Sequence, residues 1–369
     1  MQTVVLEHPA VKAWTKLQPA RVKPESIEIL DRKKGTWFKL QSECSVRESI
    51  EILDRKRRAW IRFRSEGVQP EDFEILREDR FIYRLKGVGS EGSAVIAKEC
   101  GQGTGMIEQT IYEQILSRLP APTLHYYGFV EEPYGEVCWL LLEDAGTEEY
   151  SFHTREHRAL AARWLGLMHT SAAHVAATAR LPGRGPDYYL QHLRWARDTM
   201  QRATVNFTLS TDDVVALESL VSQCNALESC WRKVERFCDR MPHTLVHSDF
   251  NRRNLRIRNG QGEIALLVFD WEMAGWGIPA ADLGYYEQAD LAIYWSVVQQ
   301  AWPHLDVQDI QRMANLGKIF RGLAVSSWES WPLDPKYYVA YEQVKSAVRI
   351  MKTCEGWITE AMKASKWIA

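Results

Sequence analysis

Near the start of the chain one pattern recurs three times at an interval of 23 residues: Glu25-Ser26-Ile27-Glu28-Ile29-Leu30, Glu48-Ser49-Ile50-Glu51-Ile52-Leu53 and Glu71-Asp72-Phe73-Glu74-Ile75-Leu76. Aromatic residues keep step with it at Trp37, Trp60 and Tyr83. Each copy reads as an alternating apolar segment, a short charged stretch and a second alternating segment. That is the spelling of a β-hairpin, because side chains along a strand alternate between its two faces. Three consecutive hairpins predict an antiparallel sheet that grows by duplication, and three copies are few for a solenoid.

Beyond the repeats the period changes. Ile107, Ile111, Tyr112, Ile115 and Leu119 share one face of an expected helix over 105–119, with Thr104 as its cap. Val137–Leu142 reads as a buried strand. Helical spacing returns over Glu156–His174 and again, as one continuous helix, over Val214–Cys238. Leu181–Pro186 reads as a plain linker, and short apolar strands fall between Leu245 and Asp270. The expected fold class is therefore α+β and bilobal, an antiparallel β lobe extended by hairpins and followed by a larger, mainly α lobe. The expected divisions are a hairpin extension over 1–70, an N-terminal lobe over 71–145 and a helical lobe over 146–369.

The chain of 369 residues is long enough for two lobes. Its 46 Lys and Arg against 48 Asp and Glu leave a net charge of −2, too little field to hold nucleic acid or an anionic membrane. No run approaches the ~20 apolar residues that span a bilayer, and Met1–Lys12 carries no signal pattern, so a cytoplasmic location is expected. The seven cysteines are odd in number and dispersed without a Cys-x-x-Cys pair, which fits reduced thiols and excludes a zinc knot.

The chemistry concentrates in two segments. In Leu245–Ile257 an apolar strand runs into a loop holding His247, Ser248, Asp249 and Asn254; in Ile264–Gly275 another ends at Asp270 and Glu272. Polar groups at strand ends can face solvent while being rigidly held. Asp249, Asn254 and Asp270 can then converge as hard oxygen donors, a set that suits Mg²⁺ shared with phosphate oxygens and hence a nucleotide.

These residues resemble the aminoglycoside phosphotransferase and choline kinase branch of the protein-kinase-like superfamily. The family's His-x-Asp-x-x-x-x-Asn stands here as His247, Asp249 and Asn254, its Asp-x-Glu as Asp270 and Glu272, and its Gly-x-Pro-x-x-Asp-Leu as Gly277, Pro279, Asp282 and Leu283. The resemblance runs from about Phe73 to the end. It implies ATP or GTP as co-substrate, Asp249 as the carboxylate taking the acceptor proton, Asn254 and Asp270 as Mg²⁺ ligands, and Asp282 as a brace of the catalytic loop. His247 is expected to be structural. Ser248 stands where the family has glycine, a departure that matters only where φ is positive.

A nucleotide's phosphates also need a fixed cation, and Lys98 near the end of an apolar strand supplies it. Of the two carboxylates on the next helix, Glu108 shares the apolar face and Glu113 does not, so Glu108 is the expected partner. Gly87–Gly92 spells Gly-x-Gly-x-x-Gly, but only five residues separate it from Lys98, enough for one strand. It is therefore assigned to a turn, and the phosphate-covering loop to the glycine-free Arg77–Arg80. The connector Cys138–Gly146 implies adenine pairing through the main chain around Glu143 and Ala145. His153-Thr154-Arg155-Glu156-His157 matches a metalloprotease pattern but lacks an apolar helix and a third ligand. For the acceptor, Glu272, Glu287 and Asp290 suggest a small cationic alcohol such as an aminoglycoside or amino alcohol. A non-catalytic nucleotide-binding protein and a nucleotidyl transferase are the alternatives.

Overall fold

The computed structural model describes residues 8–17, 26–31, 36–39, 82–132, 137–175, 179–204, 209–260, 264–284, 289–334 and 341–365. The second repeat, the first strand of the third, the expected covering loop Arg77–Arg80 and Glu287 lie outside them. The described residues fall into two compact units. One comprises those up to Tyr150 together with Arg252–Met273, and the other comprises Ser151–Asn251 and those from Ala274 onward. The hairpin that carries Asn254 and Asp270 is thus part of the β-rich unit rather than of the helical one.

In the first unit, β1 (Ser26–Asp31) and β2 (Thr36–Lys39) form the hairpin expected from the first repeat. The other edge of β1 pairs with β3 (Ile82–Lys86), with Ile29 opposite Tyr83, so the first and third repeats meet side by side. β4 (Val95–Gly101), β5 (Tyr126–Glu131) and β6 (Val137–Glu143) complete a sheet of order β2-β1-β3-β4-β6-β5 in which every neighbouring pair is antiparallel. Alternate residues Tyr83, Leu85, Val95, Ala97, Trp139 and Leu141 cover one face and bury Ala10, Val11 and Trp14 of α1 (Pro9–Leu17). That helix is not part of the expected plan, although Ala10, Val11 and Trp14 hold the spacing of one helical face.

The opposite face of the sheet takes Lys98 and the helix α2 (Gln102–Thr110). The helix opens directly from β4 at Gly101, so Thr104 is not its cap but donates from Oγ1 back to the Gly101 carbonyl at 3.2 Å. It widens into a π turn over Ile111–Ile115 and closes in a 3-10 turn over Leu116–Arg118. The Gly-x-Gly-x-x-Gly stretch forms the β3–β4 turn, with Gly87 and Gly92 at φ +78° and +80°. β9 (Leu255–Asn259) and β10 (Ile264–Val268) form a separate antiparallel hairpin.

The second unit contains α3 (Arg155–Val175), α4 (Pro186–Ala203), α5 (Thr211–Ser229), α6 (Trp231–Cys238), α7 (Ala280–Leu283), α8 (Leu291–Val298), α9 (Val307–Glu329) and α10 (Tyr341–Ala364). The single helix expected over Val214–Cys238 is two, parted at Cys230 where φ −105° and ψ 9° leave the helical region. Leu181–Pro186 is not a plain linker either. Gly183–Arg184 forms β7, parallel to β11 (Gly275–Gly277), which pairs antiparallel with β8 (Thr244–Val246). Side-chain patterns could not show this, because the pairing is made by the main chain of two glycine-rich segments.

α7 and α9 cross at Gly284 and Gly317. A Cβ on Gly317 would overlap the Ala280 carbonyl oxygen, and one on Gly284 the Gly317 carbonyl. Gly317→Ala is therefore expected to push α7 away and cost about 1–3 kcal/mol, measured as a loss of unfolding free energy in denaturant. Because α7 carries Asp282, activity should fall with it. Among the described residues, six cysteines are free thiols and no helix is long and apolar enough to cross a membrane.

Candidate active site

In the first unit Lys98 lies on β4 with only 5% of its surface exposed, and Glu108 on α2 with none. Burial of either charge alone would be costly, and each is held by specific partners. Lys98 Nζ donates to Glu108 Oε2 at 2.7 Å and to Asp270 Oδ1, with Glu272 Oε2 at 3.7 Å. Burial by itself would lower the Lys98 pKa. The carboxylates of Asp270, Glu108 and Glu272 outweigh it and hold the ammonium well above the ordinary lysine range. Glu108 Oε1 accepts from the Trp271 amide at 2.9 Å. One buried carboxylate thereby ties the strand bearing Lys98 to the segment bearing Asp270. Glu113 lies at the surface, where it accepts from Tyr126 Oη at 2.6 Å.

Asn254 and Asp270 flank the open end of the β9–β10 hairpin. The ladder pairs Leu255 with Val268, and the Phe269 amide extends it to the Asn254 carbonyl at 3.2 Å. Asn254 thus stands opposite Phe269 and next to Asp270. Asp270 adopts φ +68°, a left-handed conformation that Asp tolerates better than most residues, immediately before the 3-10 turn Trp271–Met273. The amide oxygen of Asn254 and the carboxylate of Asp270 are hard donors of the kind a divalent cation takes together with phosphate oxygens and water. Among the described residues no group of three or more His, Cys, Asp or Glu forms a ready-made cage.

In the second unit the loop after β8 carries His247, Ser248 and Asp249. The amides of His247 and Ser248 donate to the two oxygens of Asp282 at 2.9 and 2.8 Å. Asp282 also meets His169 Nε2 at 3.0 Å, and His169 Nδ1 meets Tyr294 Oη at 2.9 Å. A carboxylate can only accept, so the His169 ring donates to Asp282 from Nε2. Burial, and then the negative Asp282, keep the Tyr294 phenol protonated far above its ordinary pKa. His247 Nδ1 accepts from the Asp249 amide at 3.3 Å. His169 and Tyr294 escape the sequence reading because both sit on helix faces that read as core.

Ser248 has φ +62°. This is the condition under which the departure from glycine carries a cost, about 1–2 kcal/mol for an L residue. Ser248→Gly is expected to stabilise the fold by roughly 0.5–1 kcal/mol, after the greater freedom of unfolded glycine is deducted, as a raised denaturation midpoint. An unchanged or lowered midpoint would show that the Ser248 hydroxyl returns more than the strain takes.

Asp249 itself is partly exposed and ion-paired. Arg321 Nη1 on α9 donates to its Oδ1 at 2.8 Å. Nothing in the sequence marks Arg321, which lies 72 residues further along the chain. Asp290 Oδ1 caps α8 through the amides of Ala292 and Ile293. Glu272 belongs to the Lys98 cluster, its Oε2 lying 3.7 Å from the ammonium.

At the end of β6, the Glu143 carboxylate accepts from the His125 amide at 3.0 Å and pairs with Arg258 at 2.9 Å, while its own amide donates to the His125 carbonyl at 2.8 Å. Its N–H is therefore committed to the sheet. Ala145 lies in the following bend, where the Asp144 carboxylate accepts from the Gly146 amide at 3.0 Å. His157 accepts on Nδ1 from the Ser151 amide at 3.0 Å at the start of α3.

Known structures share this architecture. A microcompartment-associated aminopropanol kinase aligns over 80% of this chain and 92% of its own at 14% identity, TM-score 0.54. The GDP complex of an aminoglycoside 2'-phosphotransferase aligns over 85% and 97% at 12% identity, TM-score 0.54. A choline kinase from Cryptosporidium parvum Iowa II aligns over 87% and 99% at 12% identity, TM-score 0.49. The fold is thus the kinase-like α+β fold of small-molecule kinases. Residues 106–314, more than half of the chain, match the model of the phosphotransferase enzyme family, and the chain belongs to that family. No curated protein matches in sequence.

Proposed function

We propose that the protein transfers the terminal phosphoryl group of ATP or GTP to a hydroxyl of a small molecule. The observation that carries the reading is the Glu108 carboxylate, buried completely and shared between the Lys98 ammonium and the amide next to Asp270. A buried charge cluster adds little stability over apolar packing, which favours a binding role, and it supplies what a triphosphate needs: a fixed cation beside an oxygen donor. Lys98 would exchange the Asp270 contact for phosphate oxygens, and Asn254 and Asp270 would hold Mg²⁺. When bound, that ion would neutralise charge on the transferring phosphate.

Asp249 is the acceptor's base in this reading, its carboxylate placed by Arg321 Nη1 on Oδ1. Asp282, anchored by His169, fixes the main chain of the Asp249 loop, which limits the motion of the base. Phosphoryl transfer asks for little more than charge neutralisation and placement. The test is product mass after incubation with ATP or GTP, Mg²⁺ and a panel of hydroxyl compounds. A product one phosphoryl group heavier than its acceptor supports the proposal. A nucleotidylated product, or tight nucleotide binding with no product from any compound, would replace it with a transferase of another kind or a binding protein.

A further inference from the structure

We propose that Cys100 and Cys138 are a modification site, a dithiol that hydrogen peroxide converts to a disulfide when the first turn of α2 opens, loosening the Lys98–Glu108 pair beside it. The inference concerns side chains of the first unit alone and does not depend on the phosphoryl-transfer reading.

The two cysteines face each other within the sheet. Cys100 on β4 is the register partner of Cys138 on β6; both are thiols, 2% and 0% exposed. Facing residues of antiparallel strands have Cα atoms about 4.5–5.5 Å apart, inside the span of about 4.4–6.8 Å that a disulfide bridges. Cys138 Sγ donates to the Cys100 carbonyl at 3.4 Å, so its sulfur already lies toward the partner residue. The pair also touches the charge cluster. Cys100 Sγ donates to Glu108 Oε2 at 3.7 Å, the same oxygen that accepts from Lys98.

While the pair is covered it is inert. Hydrogen bonding with Cys138, burial and the Glu108 charge keep the Cys100 thiol protonated far above its ordinary range, and only a thiolate attacks an oxidant. The cover, however, is one weak helical turn. Gly105 lies so close that a Cβ there would fall 2.3 Å from Cys138 Sγ and 3.2 Å from Cys100 Cβ. The turn reads Gln102-Gly103-Thr104-Gly105, two glycines in four residues, with no side chain capping its amides and no acidic residue in it. Thr104 donates to a carbonyl and so satisfies none of those amides. Glycine is the poorest helix former after proline, so this turn opens at less cost than the sheet beneath it. Opening admits water and oxidant to both sulfurs.

In the open form one thiol gives its proton to water, and its sulfur attacks a peroxide oxygen. The O–O bond breaks, and the departing hydroxide takes up a proton to become water, leaving a sulfenic acid. The second sulfur attacks the first, the S–O bond breaks, and the hydroxide released leaves as water with the second thiol's proton. Two electrons pass from sulfur to peroxide, and the chain becomes two hydrogen atoms lighter. Drawn to the ~2 Å of an S–S bond, the sulfurs no longer fit beneath Gly105 as the thiols do, and Cys100 ceases to donate to Glu108. Glu108 is the next buried residue of α2 after Gly105, so the ion pair loosens as the turn is displaced.

The experiment treats the full chain with hydrogen peroxide, follows the disulfide by the mass of the peptides bearing Cys100 and Cys138, and measures acetylation of Lys98 in a short pulse of acetic anhydride. Lys98 is expected to react about ten-fold faster in oxidised than in reduced protein, with dithiothreitol restoring the slow rate. Gly103→Ala places a methyl group in open space and, by firming the turn, should slow disulfide formation about three-fold or more. Cys138→Ala should show neither the disulfide nor the change at Lys98. A disulfide that leaves Lys98 as slow as before, or a rate indifferent to Gly103→Ala, would overturn the proposal. So would sulfinic or sulfonic acid at either cysteine in place of the disulfide, or no disulfide under conditions that oxidise the partly exposed Cys230.

Discussion

Asp249→Ala is expected to lower kcat by about a thousand-fold, in the middle of the range for a lost general base, while nucleotide affinity stays within a few-fold. The asymmetry follows from where the groups sit. Asp249 belongs to the loop after β8 in the second unit, whereas Lys98, Glu108, Asn254 and Asp270 belong to the first. Removing the Asp249 carboxylate leaves the groups proposed to meet the triphosphate intact. It also releases Arg321, so Asp249→Asn is the more conservative probe, keeping shape and a hydrogen bond while losing the base. Steady-state rates against nucleotide binding by calorimetry separate the two effects. Turnover within ten-fold of wild type in both variants would remove Asp249 from the chemistry.

The second large effect concerns stability. Lys98→Met leaves the buried Glu108 carboxylate without its cation and is expected to cost about 3–5 kcal/mol, whereas Glu108→Leu leaves Lys98 its contact with Asp270 and is expected to cost less. The double variant replaces both charges with apolar groups of similar length and should recover most of that loss, giving a large coupling in a double-mutant cycle of unfolding free energies. Nucleotide-dependent activity should be absent from all three. Recovery of stability without recovery of activity would mark the pair as retained for ligand binding. Additive losses would show instead that each group is stabilised by other neighbours, Asp270 and Glu272 for Lys98 and the Trp271 amide for Glu108.

The parts of this molecule legible in the sequence are those where side-chain chemistry and spacing agree. The Lys98–Glu108 contact followed from helical periodicity, since a carboxylate on the apolar face of α2 needs a cation. The turn at Gly87–Gly92 followed from chain reach alone. What stayed hidden is made by main chain or by distant sequence. The β7–β11 pairing uses backbone groups common to all residues. The break at Cys230 interrupts an apolar pattern that continues on both sides. His169, Tyr294 and Arg321 reach the Asp249 loop from helices far along the chain, and a single polar residue on such a helix has no local signature. Asp290 has a second part that its spacing did not announce, because it stands where a helix begins and caps it through Oδ1.

The family assignment covers the fold and the broad chemistry, and the residue roles rest on geometry. A compact charge cluster and a hairpin end place Lys98, Asn254 and Asp270, and a braced loop places Asp249. The most direct test of this account is titration of ATP and GTP into wild type and Asp270→Ala, in Mg²⁺ and again in EDTA. Wild type should bind at least one of the nucleotides more tightly by about ten-fold or more with Mg²⁺. Asp270→Ala should lose most of that increment, because Lys98 remains to meet the phosphates while the charged one of the two proposed ion ligands is gone. Equal affinity in both buffers for wild type, or an undiminished Mg²⁺ increment in Asp270→Ala, would contradict it.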